Sequence, residues 1–383
     1  MTVRLDELGN TVATLATSGR YAEAEALLRP YVASGQAPLP VWQLLVNAIR
    51  PQGKIEETRR IQEMLVETSP GDLSARFNLA ETLLLLGEFD RGWREYRYRY
   101  RLAHTTRIER KVQRPRWDGE PIAGKTLLIH DEQGYGDTFQ FLRMVPWARE
   151  RSGARIILEI ISEQLPIAAR AGGFDEIIPR GTLPPQFDVH CEMMSLPMAM
   201  RLQLSDLPGQ IPYLTADAQR VEHWRARLED LPRPWVALCW AGRPTHFNDR
   251  ARSMSLVDLA PLALPGVTFL SLQKGPKAQE ATEPPGGMRL VALGAELQDF
   301  EDTAAVLMLA DLLISVDSSP VHLAGALGRP VWMMLPFVPD WRWLLGRSDS
   351  PWYPTLRIFR QPAVGDWSSV TRAVAQELRT LAQ

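Results

Sequence analysis

Three places in this sequence set polar, chemically capable side chains directly after a short apolar run and just before a helical stretch. The first is HDEQGYGDTFQF, where the run ending near His130 meets Gly134 and Gly136 and a helix is expected from about Asp137. Glycines at such a turn let the backbone approach a ligand closely, and a helix start offers N–H groups without intrahelical partners. Asp137 there could take a proton from a hydroxyl nucleophile as a general base. It could equally do no more than cap the helix, a position aspartate favours. The second place is WAGRPTHFNDRARSMSL, opening at Trp240. Its Arg243, Arg250 and Arg252 suit bidentate hydrogen bonding to a diphosphate, or form an ordinary solvated loop. Lys274, beside Gly275 in SLQKGP, holds a similar position after the next apolar run. The third place is ISVDSSPVHLAGALGRPVW, where a buried run ends at Asp317 and Ser318 and Ser319 precede Pro320. Proline suits a first helical turn, and the hydroxyls and N–H groups around it form a cradle for phosphate. His322 sits in that turn, able to bond a phosphate or Asp317, or simply to pack.

What is missing narrows the chemistry. No two aspartates stand two apart, so the D-x-D motif that grips a metal-bound diphosphate is absent. There is no H-E-x-x-H, no close cysteine pair and no G-x-G-x-x-G, which disfavours zinc and dinucleotide sites. GEPIAGKT, from Gly119 to Thr126, fits the Walker spacing, but a P-loop follows a strand and opens a helix. Here Lys125 and Thr126 open an apolar run instead. Nothing local requires a metal or a cofactor.

Stepping from these residues to the elements that must hold them, the chain changes character near Gly124. Before it, GRYAEA, GKIEET and GEFDRG place Gly19, Gly53 and Gly87 at intervals of 34 residues. Each glycine is followed two residues later by a large apolar residue (Tyr21, Ile55, Phe89) and five later by a small one (Ala24, Thr58, Gly92). That is the spacing of tetratricopeptide repeats, in which paired helices stack into a surface that binds peptides or partner domains. Arg91, Arg94, Arg97, Arg99, Arg101, Arg107, Arg110, Lys111, Arg114 and Arg116 follow, with Tyr96, Tyr98 and Tyr100 among them. They make either an anion-facing surface or a solvated face that docks its alternate residues. From Lys125 onward, KTLLIH, ARIILEI, EIIP and FDVHCEM, and later WVALCWAG, VTFLSLQ, MRLVALG, DLLISVD, PVWMMLP and LRIFRQ, alternate with helical stretches. One such stretch is expected from Asp137 to Arg151 and another from Ala216 to Asp230. The pattern predicts two parallel sheets with helices on both faces, and ligands beyond the carboxyl ends of the strands.

The 383 residues are 45% hydrophobic and 23% charged, values of a globular protein rather than a disordered one. Forty-three basic against 45 acidic side chains leave a net charge of −2, so no general basic field suggests a nucleic-acid partner. No apolar run reaches the length of a membrane span. The N-terminus reads unlike a secretory signal, and two cysteines, Cys191 and Cys239, fit a reducing cytoplasm.

The stretches RPRWDGEPIAGKTLLIHDEQGYGDTFQFLR, WAGRPTHFNDRARSMSL, SLQKGP and DLLISVDSSPVHLAGALGRPVWMMLPFVPDWRWLLGRSDSPWYPTLRIFRQ together resemble bacterial tetratricopeptide-repeat glycosyltransferases. Their catalytic half is similar to ADP-heptose heptosyltransferases and, more distantly, to O-GlcNAc transferase. The resemblance implies α-helical tetratricopeptide repeats followed by an α/β GT-B fold of two Rossmann-like domains. It divides the chain into repeats at 1–106, a linker at 107–123, an acceptor-side domain at 124–215 and a nucleotide-sugar domain at 216–383. It implies an inverting, metal-independent transfer from a nucleotide-diphosphate sugar, which is a substrate rather than a cofactor. Asp137 matches the family's proposed base. Asp317, Ser318 and His322 match its D-[TS]-x-x-x-H donor segment, with Ser319 where glycine or alanine is usual. Gly136, Lys274, Arg243 and Arg250 fall on the donor side. The acceptor domain is short, which points to a protein acceptor held partly by the repeats, for example a surface or flagellar protein modified in the cytoplasm. The rival is a scaffold that keeps this fold, has lost catalysis and mediates protein–protein interaction. A sugar-nucleotide epimerase would need further carboxylates near the reacting carbon, and Asp131 and Glu132 stand nearby chiefly to orient the turn. Trp341, Trp343 and Trp352 are expected in packing, and the helix from Asp366 to Leu381 is expected to cross back onto the first α/β domain.

Overall fold

A computed structural model describes residues 5–33, 35–102, 112–246 and 248–381. The chain divides into two units: Met1–Glu109 with the separate segment Phe337–Gly346, and Arg110–Pro336 with Arg347–Gln383.

The first unit is set by its glycines. Helices α1 (Leu5–Thr17) and α2 (Tyr21–Val32), α3 (Leu39–Ile49) and α4 (Ile55–Thr68), and α5 (Leu73–Leu85) and α6 (Phe89–Tyr96) follow one another. Gly19, Gly53 and Gly87 lie inside the successive pairs with φ of 76°, 80° and 83°. A side chain makes that left-handed conformation cost roughly 1–2 kcal/mol. The small position of each period marks close helix approach. Ala24 and Thr58 are fully buried, and a Cβ on Gly92 would lie 2.6 Å from Leu84 Cδ2.

Ion pairs link successive periods. Arg29 Nη1 lies 2.5 Å from Glu57 Oε1, and Lys54 Nζ 2.6 Å from Glu25 Oε1. Advanced by one period, the same two positions hold Glu63–Arg91 at 2.6 Å and Arg59–Glu88 at 3.5 Å. The signs are exchanged while the geometry is kept.

The basic run divides: Arg94, Arg97, Arg101 and Arg114 are exposed, while others are engaged in packing. Arg91 belongs to the ladder, and Arg99 is buried with its guanidinium over the Tyr96 and Tyr100 rings. Arg107, Arg110 and Lys111 lie outside the described residues. Phe337–Gly346, expected within the second α/β domain, joins the helices instead. Trp341 meets Trp93 edge-on at 5.5 Å, and a Cβ on Gly53 would strike the Phe337 ring.

The second unit contains both sheets. In the first, β1 (Thr126–His130), β2 (Arg155–Ile160), β3 (Glu176–Pro179) and β4 (Val189–Glu192) lie in the order β3-β2-β1-β4. In the second, β5 (Trp235–Cys239), β6 (Thr268–Ser271), β7 (Arg289–Ala292), β8 (Leu312–Val316), β9 (Val331–Leu335) and β10 (Leu356–Arg360) lie in the order β10-β9-β8-β5-β6-β7. All these pairings are parallel. β5 and β8 are buried along their whole length, as parallel strands covered on both faces must be. The second order is that of a doubly wound dinucleotide-binding sheet, and the first is its opening half. Each therefore has a switch point where strand order reverses: β1 beside β4, and β5 beside β8.

Three local expectations are corrected. The helix expected from Asp137 to Arg151 is instead Tyr135–Phe141, a 3-10 turn at Leu142–Met144, and Val145–Ser152. Pro146 has no N–H to continue the first helix and clashes with the carbonyl four residues back. Within the expected linker, Arg116 pairs beside His190 at the edge of the first sheet. The last helix, Trp367–Leu381, does not cross to the first sheet. Its face of Val370, Val374 and Leu378 buries with Val236, Leu238 and Phe269 of the second core, and Arg357 pairs with Glu377 at 2.9 Å. Trp341, Trp343 and Trp352 are all buried.

Candidate functional site

β1 ends at His130, and the chain turns through Asp131–Gln133 into the helix Tyr135–Phe141. Asp131 ties that turn to the end of β2. Its Oδ2 accepts from the Ile161 N–H at 2.7 Å, and Oδ1 lies 3.4 Å from Arg180 Nη1. Burial pushes its carboxyl pKa up. Asp137 is the third residue of the helix rather than its cap, and its Oδ2 accepts the Gly134 N–H at 2.9 Å. The capping alternative is therefore realised by reaching backward, and the side chain remains half-buried.

Across from it, β8 runs into the helix Ser319–Ala326, whose N-cap is Ser318. The Ser318 hydroxyl hydrogen-bonds Ser315 Oγ at 3.0 Å and donates to Cys239 Sγ at 3.7 Å, joining β5 to β8 at their switch point. Burial pushes the Cys239 thiol up. Arg252 Nη1 donates to the Asp317 carbonyl at 3.1 Å, and a Cβ on Gly242 would lie 2.5 Å from its Nη2. His322 is buried, its Nδ1 3.0 Å from the Tyr353 hydroxyl.

The two helix starts abut. A Cβ on Gly136 would sit 2.7 Å from His322 Cδ2, and since His322 is held by Tyr353 it has little room to yield. Only glycine permits this approach. Other bonds hold the sheets' lobes in the same relation. Tyr135 and Phe139 pack edge-on against Phe300, at 4.9 and 5.0 Å. Arg170 Nη2 reaches the buried Glu301 at 2.6 Å, and the buried Arg143 donates to the carbonyls of Pro208, Gly209 and Trp352.

Sequence reasoning named residues that the structure treats differently. Asp137, Gly136, Asp317, Ser318, Ser319 and His322 lie on the two abutting turns. Arg243 is exposed but close enough to act on Tyr135: burial and Glu163 push that phenol up, and Arg243 pulls it down. Arg250 is exposed on the short helix Asp249–Arg252. The Lys274 ammonium donates to the Leu297 carbonyl at 2.6 Å. In the sequence Arg252 is one of a cluster, and nothing local marks its reach to Asp317. Gln273 carries no local signal of its role. Its Oε1 accepts the N–H groups of Trp240 and Ala241 at 3.0 and 2.9 Å, fixing the loop that carries the arginines. Among the described residues, His130, His190 and Glu192 bring possible metal-ligand atoms within 4.8 Å of one another.

Residues 266–333 match the family model described as glycosyltransferase family 9 (heptosyltransferase). The chain is 32% identical over 339 residues to Protein FlbA of Caulobacter vibrioides, covering 82% of this chain and 56% of that protein. It thus spans about half the length of the curated relative it matches. The crystal structure of a family 9 glycosyl transferase from Veillonella parvula aligns with 69% of this chain and 99% of its own, at TM-score 0.50 and 11% identity. The structure of E. coli ADP-heptose lps heptosyltransferase II aligns with 67% and 98%, at TM-score 0.49 and 16% identity. A helical N-terminal region is followed by a parallel-sheet α/β region whose fold is like that of the Veillonella parvula structure, and the stretch that matches the family 9 model spans the switch-point helix of its second sheet.

Proposed function

We propose that this protein is a glycosyltransferase that moves a sugar from a nucleotide-diphosphate donor to a hydroxyl acceptor with inversion at the anomeric carbon. The observation that carries the reading is the abutment of Gly136 on His322, which sets a carboxylate-bearing turn of one sheet against an anion-suited helix start of the other. The family 9 match over 266–333 supports the donor class.

In this reading the donor's diphosphate lies at the N-terminus of Ser319–Ala326, with Ser318, Ser319, Asp317 and His322 shaping the cradle. Arg243, Arg250 and Lys274 supply positive charge around it. As the glycosidic bond breaks, charge grows on the leaving diphosphate. Donors already in place stabilise that charge more than the ground state, so no metal on the diphosphate is needed. Asp137 accepts the acceptor's proton as its oxygen attacks the opposite face of an oxocarbenium-like sugar. The 34-residue helix pairs act as tetratricopeptide repeats holding a polypeptide acceptor, and the reaction takes place in the cytoplasm. The low cysteine count, Cys191 and Cys239 alone, supports that compartment.

The scaffold reading draws on a different observation: Asp137, Ser318 and His322 each have a partner inside the fold. A thermal-shift panel of ADP-, UDP-, GDP- and CMP-linked sugars separates the two, because a ligand that binds only the folded state raises the melting point. A shift with one nucleotide, followed by sugar release or transfer, supports the enzyme. No shift with any of them supports the scaffold.

A further inference from the structure

The switch point of the first sheet holds a cluster that the transfer chemistry leaves unused. β1 and β4 are neighbours in register, with Leu128 opposite His190 and His130 opposite Glu192. Side chains alternate faces along a strand, so His130, His190 and Glu192 all project from the same face. His130 Nε2 lies 3.2 Å from His190 Nδ1, which lies 4.0 Å from Glu192 Oε1. All three residues are at most 2% exposed. Arg116, paired beside His190 at the sheet edge, donates its Nε to Glu192 Oε1 at 2.8 Å. The His190 ring also hydrogen-bonds the backbone of Arg114.

The spacing has a coordination meaning. Two ligand atoms each about 2.0–2.1 Å from a tetrahedral zinc stand about 3.3 Å apart, close to the separation of the two imidazole nitrogens. Ligating histidines characteristically anchor their second ring nitrogen on a carbonyl or carboxylate, and ligating carboxylates are themselves hydrogen-bonded. Arg114 and Arg116 supply that outer layer. A set of two imidazoles and one carboxylate suits zinc and its first-row neighbours rather than calcium or magnesium.

We propose that His130, His190 and Glu192 bind a divalent first-row transition-metal ion, zinc first among them, in the crevice between β1 and β4. The ion clamps the carboxyl ends of the two strands directly before the turn that leads to Asp137, and so acts as a positioning element. It does not touch the diphosphate, and the proposal stands whether or not the protein transfers a sugar.

The test uses the full chain, stripped of metal with a chelator and then titrated with Co2+, with Zn2+ as competitor. Wild-type protein is expected to take up one equivalent of Co2+, show the visible d–d absorption of a low-coordinate nitrogen and oxygen site, and lose it to Zn2+. His190→Gln and Glu192→Gln are each expected to weaken uptake on the order of tenfold or more, with unchanged circular dichroism. X-ray absorption on the wild-type zinc form, which needs no variant to fold, is expected to show two imidazoles and a carboxylate oxygen. Absence of the Co2+ band in wild-type protein, uptake by both variants as tight as that of wild type, or a zinc shell without two imidazoles each overturns the proposal. Nucleotide binding measured on the stripped protein is expected to persist, which keeps this result separate from the transferase reading.

Discussion

At the β1/β4 crevice the groups are titratable: His130, His190 and Glu192 on the strands, Asp131, Glu132 and Asp137 on the turn beyond. At the β5/β8 crevice they are a thiol, hydroxyls, backbone N–H groups and an arginine: Cys239, Ser315, Ser318 and Arg252. Strand order creates a crevice in both places for the same reason, since the connections leave in opposite directions at a switch point. The difference lies in what the chain puts there. One wall carries imidazoles and carboxylates. The other presents hydroxyl and backbone dipoles and a guanidinium charge. A reaction in which one oxygen loses a proton while another gains negative charge calls for that division.

The comparison can be broken by showing that either wall lacks its assigned role. Asp137→Asn keeps an oxygen to accept the Gly134 N–H, so melting temperature should change little. Transfer rate should fall about 10²–10⁴-fold, the usual loss on removing a general base, with nucleotide affinity retained. Steady-state kinetics and calorimetry on one preparation check both halves, and an Asn variant of full activity would remove the proton-taking role from this wall. On the other wall, Arg252→Ala removes a charged donor from the Asp317 carbonyl. Losing such a bond costs about 1.5–3 kcal/mol, and denaturant unfolding should show a loss of stability of that size.

The junction between the walls is sharpened by Gly136→Ala. Its methyl group must enter the space of a ring held by Tyr353, and denaturant unfolding should show about 1–3 kcal/mol of lost stability, typical of overpacking. The smallest effect belongs to the helical unit. Glu57→Arg should cost about 0.2–1 kcal/mol, the range of partly exposed pairs. Exchanging Glu25→Arg, Arg29→Glu, Lys54→Glu and Glu57→Arg together reproduces the signs of the next period and should restore the melting midpoint.

The helix pairs of the first unit were legible because their information is local and periodic. Gly19, Gly53 and Gly87 mark turns whose left-handed φ each glycine permits by itself, and Ala24, Thr58 and Gly92 mark close approaches at a set offset. Strands were legible as apolar runs, and all those anticipated after Lys125 form. The sites were only half legible. Glycine, serine and proline after a strand advertise a turn suited to anions, so the Asp137 and Ser318 turns stood out. Arg252, Gln273, Tyr353 and the histidine cluster did not, because each acts on a residue tens of positions away and carries no local signature.

Taken alone, the amino-acid order determined which segments become helices and strands, where the turns fall, and which turns bear chemically capable side chains. These follow from backbone sterics and hydrophobic periodicity over a few residues. Tertiary structure decided which strands are neighbours, and with that everything that depends on neighbours: the meeting of Gly136 with His322, the reach of Arg252 to Asp317, the gathering of His130, His190 and Glu192, the attachment of Phe337–Gly346 to the helices and the docking of the last helix on the second sheet. Parallel pairing joins residues remote in the chain, and the choice among possible partners is made by burial of whole faces, a quantity that no short stretch of sequence contains.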